Sequence, residues 1–390
     1  MLKIISCCAG AILMSTWGIS KESAPSVEAS VKDMKTIVLK KPARLLNVVY
    51  FLGSDAQPVP GYEKRISELL LHLQQFYGRE MKRNGFGARS FGLDMKSPDQ
   101  VNLIVYRAKN PAKDYPYENG GGGKVLQELE EYFKQNPGMK KSSHTLIITP
   151  TWNDEKNNDR NPGGVPFYGM GKNCFALDYP AFELKHIGKD SHEGRLLTKW
   201  YGGLAHELGH GLNLPHNHAT TTEGKKLGTA LMGAGNYTFG KSPTFLTPSS
   251  CAILNTCEVF SVDPKKEYYT AKGNVTLKRL ETSFSKNKID MKGEYRSENL
   301  IRSVNVYVQD EPYVVNQDYD SVTFSKRLNN KSGKFNFSIA RNELDGLKLN
   351  KFQIRLVFVL DDGTLVKKNF EYSQDDVMKD GATSVFVKTE

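Results

Sequence analysis

His206, Glu207, His210, His216 and His218 fall within HELGHGLNLPHNH, residues 206–218, which holds four of the chain's eight histidines. Imidazole nitrogens are borderline-soft ligands suited to a divalent transition metal. The first five residues read H-E-x-x-H. On a helix, positions four apart lie about 40° apart around the axis, so His206 and His210 project side by side. Glu207 then stands next to the metal, where its carboxylate can take a proton from the water that the metal activates. His216 follows His210 by six residues, after a stretch able to turn the chain back and bring in a third nitrogen. Three protein ligands and one open position describe a catalytic zinc, not a structural one. His218 is the competing third ligand, since it follows the same turn. Glu223 is a second competitor, but TTTEGKK reads as a loop rather than the helix such a ligand needs.

The elements that must hold these residues are legible upstream. LLTKWYGGLA, residues 196–205, carries Leu197, Trp200, Tyr201, Leu204 and Ala205 at helical spacing, and Leu208 continues the stripe. This is a helix with one buried face, running into the histidines.

The stretch resembles the metzincin metallopeptidases, whose signature is H-E-x-x-H-x-x-G-x-x-H followed by a Met-turn. His206, Glu207, His210 and His216 occupy the ligand and base positions. Asn213 stands where the family has glycine. The helix must end there at positive φ, and Asn tolerates that conformation next best after Gly. Pro215 keeps the helix from resuming. The Met-turn candidate is Ala230-Leu231-Met232-Gly233, in which the resemblance implies that Met232 forms an apolar floor under the metal. It also implies an edge strand that holds the substrate backbone, making Gly169, Met170 and Gly171 candidates for substrate contact. Some metzincins place a tyrosine two residues after the methionine. Tyr237 lies five residues after Met232, which weakens that role and favours an ordinary packed or surface tyrosine.

Around the motif the pattern is α+β. The run 46–52 reads as a buried strand and 62–84 as an amphipathic helix. Strands follow at 89–95 and 101–107, then a helix at 123–135, a strand at 145–149 and an edge strand at 167–177. This β-α-β-β-α-β-β-helix order is what the resemblance implies for a catalytic domain with a twisted mixed sheet, spanning 45–263. The Gly120–Gly123 run is not a phosphate loop, because Val125 stands where Ser or Thr must bind magnesium. Beyond about 265, alternating segments at 274–280, 288–295, 301–308, 321–325, 334–339, 351–360 and 365–372 suggest an antiparallel, immunoglobulin- or fibronectin-like β-sandwich over 265–390, folding separately and not needed for the chemistry. Asp310, Glu311, Asp318 and Asp320 form an acidic cluster, read as a solvated loop in preference to a calcium site.

At 390 residues the chain has room for two domains, and its 39% hydrophobic and 25% charged residues are those of a soluble globular protein. Lys3 followed by an apolar run from Ile4 to Ile19 reads as a signal peptide over 1–20, with 21–44 a linker or pro-region. The product would be secreted or periplasmic. Ile4-Ile5-Ser6-Cys7 offers the alternative of a lipoprotein anchored to a membrane at Cys7. The formal charge of +10 is spread along the chain instead of concentrated, which argues against a nucleic-acid partner. Of the five cysteines, Cys174, Cys251 and Cys257 lie outside the signal. Cys251 and Cys257 point to different faces if they share a helix, so at most one of them pairs with Cys174.

Together these features predict a secreted zinc endopeptidase with a peptide or protein substrate, one catalytic Zn2+ and Glu207 as general base. The rivals are a catalytically silent secreted binding or adhesion protein, and a zinc hydrolase of a non-peptide amide.

Overall fold

The structure is a computed structural model that describes residues 36–311, 319, 321–373 and 383–387. The expected signal peptide, most of the linker, Cys7 and the acidic residues Asp318 and Asp320 lie outside the described residues.

The N-terminal part is a three-layer arrangement around a six-stranded sheet. Strand β1 (Leu45–Leu52) is central, with β2 (Gly92–Leu93) and β5 (Ile104–Arg107) along one edge and β6 (Thr145–Pro150) along the other. Then come β8 (Asn173–Asp178) and, antiparallel at the outer edge, β7 (Gly169–Met170). A small hairpin of β3 (Met95–Ser97) and β4 (Gln100–Val101) lies beside it. The pairings of β1, β2, β5, β6 and β8 are parallel. A parallel sheet covered on both faces explains the unbroken apolar runs. Alternation along the strands assigns the faces. Leu46, Val48, Tyr50, Leu146, Ile148, Cys174 and Ala176 join one core, where α1 (Tyr62–Arg83) and α3 (His192–Gly211) pack. Val49, Phe51, Ile147 and Phe175 join the other, covered by α2 (Gly121–Gln135) through Val125, Leu129 and Phe133. Tyr77 of α1 donates to Ala205 O at 2.9 Å, and Tyr201 of α3 donates to Leu69 O at 3.0 Å, so the two helices are also tied by buried hydrogen bonds.

The segment expected as one edge strand, 167–177, is instead a hairpin. Gly171 at φ 65° turns the chain between β7 and β8. Only β7 is the edge strand; β8 is interior. Residues 221–227, expected as a loop, form a short helix, α4 (Thr221–Leu227). Its capping box explains this: Thr220 accepts from Glu223 N–H while the Glu223 carboxylate accepts from Thr220 N–H. Strands β9 (Thr229–Ala230) and β10 (Thr244–Phe245) pair with each other, and helix α5 (Pro248–Leu254) closes this part.

The remaining strands are β11 (Val275–Phe284), β12 (Lys288–Asp310), β13 (Val322–Ala340), β14 (Lys351–Leu360), β15 (Leu365–Ser373) and β16 (Thr383–Val387). They form one antiparallel sheet in the order β15-β14-β12-β11-β16, with β13 pairing along β12. Four of the short expected strands are two long ones. The register of β12 shifts between Arg296 and Ile301, and there the strand changes neighbour from β11 to β14. The two halves of the sheet fold toward each other around this bend. Tyr295 meets Phe358 at 5.7 Å between ring centroids, and Phe284 meets Tyr372 at 5.1 Å. The core so enclosed is distinct from those of the N-terminal part. The two parts nevertheless touch: Asn305 donates to Ser249 O at 3.1 Å, Thr222 N–H donates to Glu343 at 2.9 Å, and the Arg327 guanidinium lies 3.9 Å over the Phe86 ring.

Candidate active site

Helix α3 begins at Ser191, whose side chain accepts from Gly194 N–H at 3.1 Å, and runs to Gly211. Of its predicted stripe, Leu197, Tyr201, Leu204, Ala205 and Leu208 are buried, and Trp200 is half-buried at the margin of the core. The helix ends where the sequence requires. Asn213 has φ 73°, and Leu214 N–H returns to Gly209 O at 2.9 Å. The chain reverses and delivers His216.

The three imidazoles converge. His210 Nε2 lies 3.1 Å from His206 Nε2 and 3.0 Å from His216 Nε2. The other ring nitrogens of the helical pair are committed elsewhere, His206 Nδ1 to Leu231 O at 2.7 Å and His210 Nδ1 to Leu214 O at 2.8 Å. A carbonyl oxygen cannot donate, so both Nδ1 atoms carry the proton and both Nε2 atoms present lone pairs. Burial, together with the neighbouring His210 and His216, holds His206 well below the usual imidazole range and hence neutral. Lone pairs facing one another at this distance repel unless a cation lies between them. Zn–N bonds of about 2.0–2.1 Å in a tetrahedron place their nitrogens about 3.3 Å apart, so the donor set fits such an ion.

Met232 is fully buried directly beneath the helix. A Cβ on Gly209 would lie 2.4 Å from its Sδ, so the Met232 side chain packs closely against this turn of the helix. The turn at Leu231 and Met232 also holds the site by its backbone, through Leu231 O on His206 and Met232 O, which accepts from Asn217 N–H at 3.1 Å.

Glu207 is oriented away from the triad's ring-to-carbonyl bonds and toward the edge strand. Its Oε2 accepts from Gly169 N–H at 2.7 Å. Burial pushes its carboxyl up to about 7, against the lowering effect of that N–H. A cation among the histidines would favour the ionised form.

Of the other anticipated residues, Met170 is exposed on β7 and Gly171 forms the hairpin turn. Tyr237 is 71% exposed in a 3-10 turn, Gly235–Tyr237. His218 is not part of the triad; its Nδ1 faces Ala219 O at 2.9 Å. Glu223 is occupied in the capping box. Asp310 caps the turn at 348–349 by accepting from Lys348 and Leu349 N–H. Cys174, Cys251 and Cys257 are free and buried, so the pairing of Cys251 or Cys257 with Cys174 that the sequence left open is not formed.

Two contributors went unread in the sequence. Asn217 is fully buried and donates to Ser250 Oγ at 2.9 Å while accepting from Thr247, which anchors the turn carrying His216. Tyr319, on the connection between β12 and β13, stacks on the His216 ring at 3.7 Å between centroids. Only the H-N-H neighbourhood hinted at the first, and no local pattern marked the second.

No family model matches the chain, and no curated protein matches it significantly. Solved structures do. Wild-type OgpA from Akkermansia muciniphila is 63% identical, with 88% of this chain and 98% of OgpA covered at a TM-score of 0.86. The chain belongs to the OgpA family. A second crystal form of wild-type OgpA gives 60% identity over 94% of this chain and 100% of OgpA, with a TM-score of 0.86. Catalytically inactive OgpA from the same organism, in complex with an O-glycopeptide substrate (glycodrosocin), is 61% identical, covers 91% and 99%, and has a TM-score of 0.87. As a member of the OgpA family the chain is an enzyme, a hydrolase. Family and histidine triad together imply a bound metal ion.

Proposed function

We propose that the protein is a zinc-dependent endopeptidase that cleaves the backbone of O-glycosylated peptides. The observation that carries this reading is the convergence of three Nε2 nitrogens on the helix that carries the Glu207 carboxylate and the turn after it, in a chain 61% identical to OgpA bound to an O-glycopeptide. His206, His210 and His216 would hold the ion and Met232 would floor it. When bound, the ion supplies Lewis acidity toward the scissile carbonyl and the attacking water. Glu207 takes the proton of that water and passes it to the leaving amine. Gly169 N–H fixes which oxygen of Glu207 is occupied and leaves the other to face the water. Along β7, the edge strand, the backbone near Met170 is open to pair with an extended substrate. The protein acts outside the cytoplasm, delivered by the signal peptide over 1–20, with residues 45–263 as the peptidase domain and 265–390 as an accessory β-domain.

The test pairs one peptide carrying a Ser- or Thr-linked glycan with its unglycosylated twin, each with and without chelator, read by mass spectrometry. Cleavage of the glycosylated peptide alone, lost with chelator and restored by zinc, is expected. Equal cleavage of both twins would remove the glycan from the reading. Cleavage of neither, with an intact fold and bound metal, would favour a non-peptide amide substrate or a silent binding protein.

A further inference from the structure

We infer that Tyr319, on the connection between β12 and β13 of the C-terminal part, positions the third metal ligand, so that the catalytic centre is built from both parts of the chain. This rests on the metal-site reading above and says which residue completes that site. His206 and His210 sit on one helix, and their rings are tied to Leu231 O and Leu214 O. His216 lies beyond the helix end, on a turn. A face of its ring is covered by Tyr319, at 3.7 Å between centroids and 29° between planes. The same phenol is 6.2 Å from the His206 ring and within 21° of parallel to it. The stack is set by backbone as well as by side chain. His218 N–H donates to Ser321 O at 2.7 Å, and His218 bridges Val322 in parallel register. Ser321 in turn donates to Gln309 Oε1 at 2.6 Å, and both are buried. The ends of β12 and β13 are thus pinned to the turn that carries His216, two residues from Tyr319 on one side and two from His216 on the other.

An imidazole bound to a cation is electron-poor, and the face of a phenol is electron-rich, so the stack strengthens when metal is bound and resists rotation of the ring away from it. Residues that orient a metal-bound histidine without touching the ion commonly contribute about 10- to 100-fold in affinity. On this inference the C-terminal part, expected to be dispensable for the chemistry, contributes to the metal site.

The experiment uses the full-length protein with Tyr319→Phe, Tyr319→Leu and Tyr319→Ala. Zinc affinity is measured by chelator competition, the visible spectrum is recorded after cobalt substitution, and folding is checked by circular dichroism. Phe should bind zinc within about twofold of the parent and keep the cobalt spectrum. Leu and Ala should bind about 10- to 100-fold more weakly, with an altered cobalt spectrum and an unchanged fold. Parent-like affinity and spectrum in Leu or Ala would overturn the inference. So would a loss in Phe as large as in Ala, because the hydroxyl and not the ring would then matter. If Ala alone misfolds, Leu decides, since it retains bulk without an aromatic face. A parent protein that binds no metal would instead sink the metal-site reading itself.

Discussion

The N–H of Gly169 donates to Glu207 Oε2 at 2.7 Å, and the same glycine is pressed so closely on helix α3 that a Cβ there would stand 2.2 Å from Glu207 O and 2.4 Å from His210 Cβ. The edge strand and Glu207 are therefore one unit. Gly169→Ala should push β7 off the helix, at a cost of about 1–3 kcal/mol in stability, typical of an overpacked contact. Turnover should fall at least about tenfold, because the carboxylate loses its fixed direction. Denaturant melts and glycopeptide hydrolysis on the same sample check both. An Ala variant with parent-like turnover would mean the hydrogen bond does not orient the base.

Glu207→Gln should leave the metal in place and remove turnover. Gln keeps the shape and can still accept from Gly169 N–H, yet it takes no proton. Loss of general-base catalysis should cost at least ~10²-fold in rate, or ~2.7 kcal/mol of transition-state stabilisation. Hydrolysis rate and zinc stoichiometry decide it together. Loss of zinc would show that the glutamate holds the site instead of working in it.

Removing the third ligand separates the two histidines that follow the helix. His216→Ala should lose zinc at micromolar protein, whereas His218→Ala should retain one equivalent, since only His216 joins the triad. Elemental analysis after dialysis against a weak chelator reads this directly. Full occupancy in His216→Ala would hand the position to His218.

Acid should destabilise the fold through His144. This residue is buried, with Nδ1 2.7 Å from Gly211 O and Nε2 2.6 Å from Tyr269 Oη, and burial holds it down to about 4. Its folded value lies below the unfolded 6.5, so between those values the unfolded chain binds the extra proton. The stability is complete above about 6.5 and is lost as pH falls toward 4, by at most about 3 kcal/mol. Urea midpoints at pH 7.5 and pH 4.5 should differ accordingly. His144→Gln should lower stability at pH 7.5 and flatten the pH dependence. An unchanged slope in that variant would assign the acid sensitivity to other groups.

Much of the centre was legible because its signals are local. The H-E-x-x-H spacing, the apolar stripe before it and Asn213 at positive φ all concern residues within a few turns of each other, and the structure has them as expected. Strand β1 and helix α1 were readable for the same reason. What escaped is set by contacts between distant segments. Nothing near Gly169 says that its N–H faces a carboxylate 38 residues on. Tyr319 is one tyrosine among 18, and its place beside His216 depends on where a separate sheet docks. The hidden turn at Gly171 and the merging of strands into β12 and β13 have a different cause. Alternation marks strand character but not where a ribbon bends or continues.

The three buried cysteines outside the expected signal peptide stay unpaired. No disulfide joins any of the described residues, so the stability of this part should be the same with and without reductant. In the native protein the thiols are shielded, and burial raises the pKa of each. Thiol-reactive dyes should therefore stay silent on the folded enzyme and report its opening, residue by residue, when it unfolds.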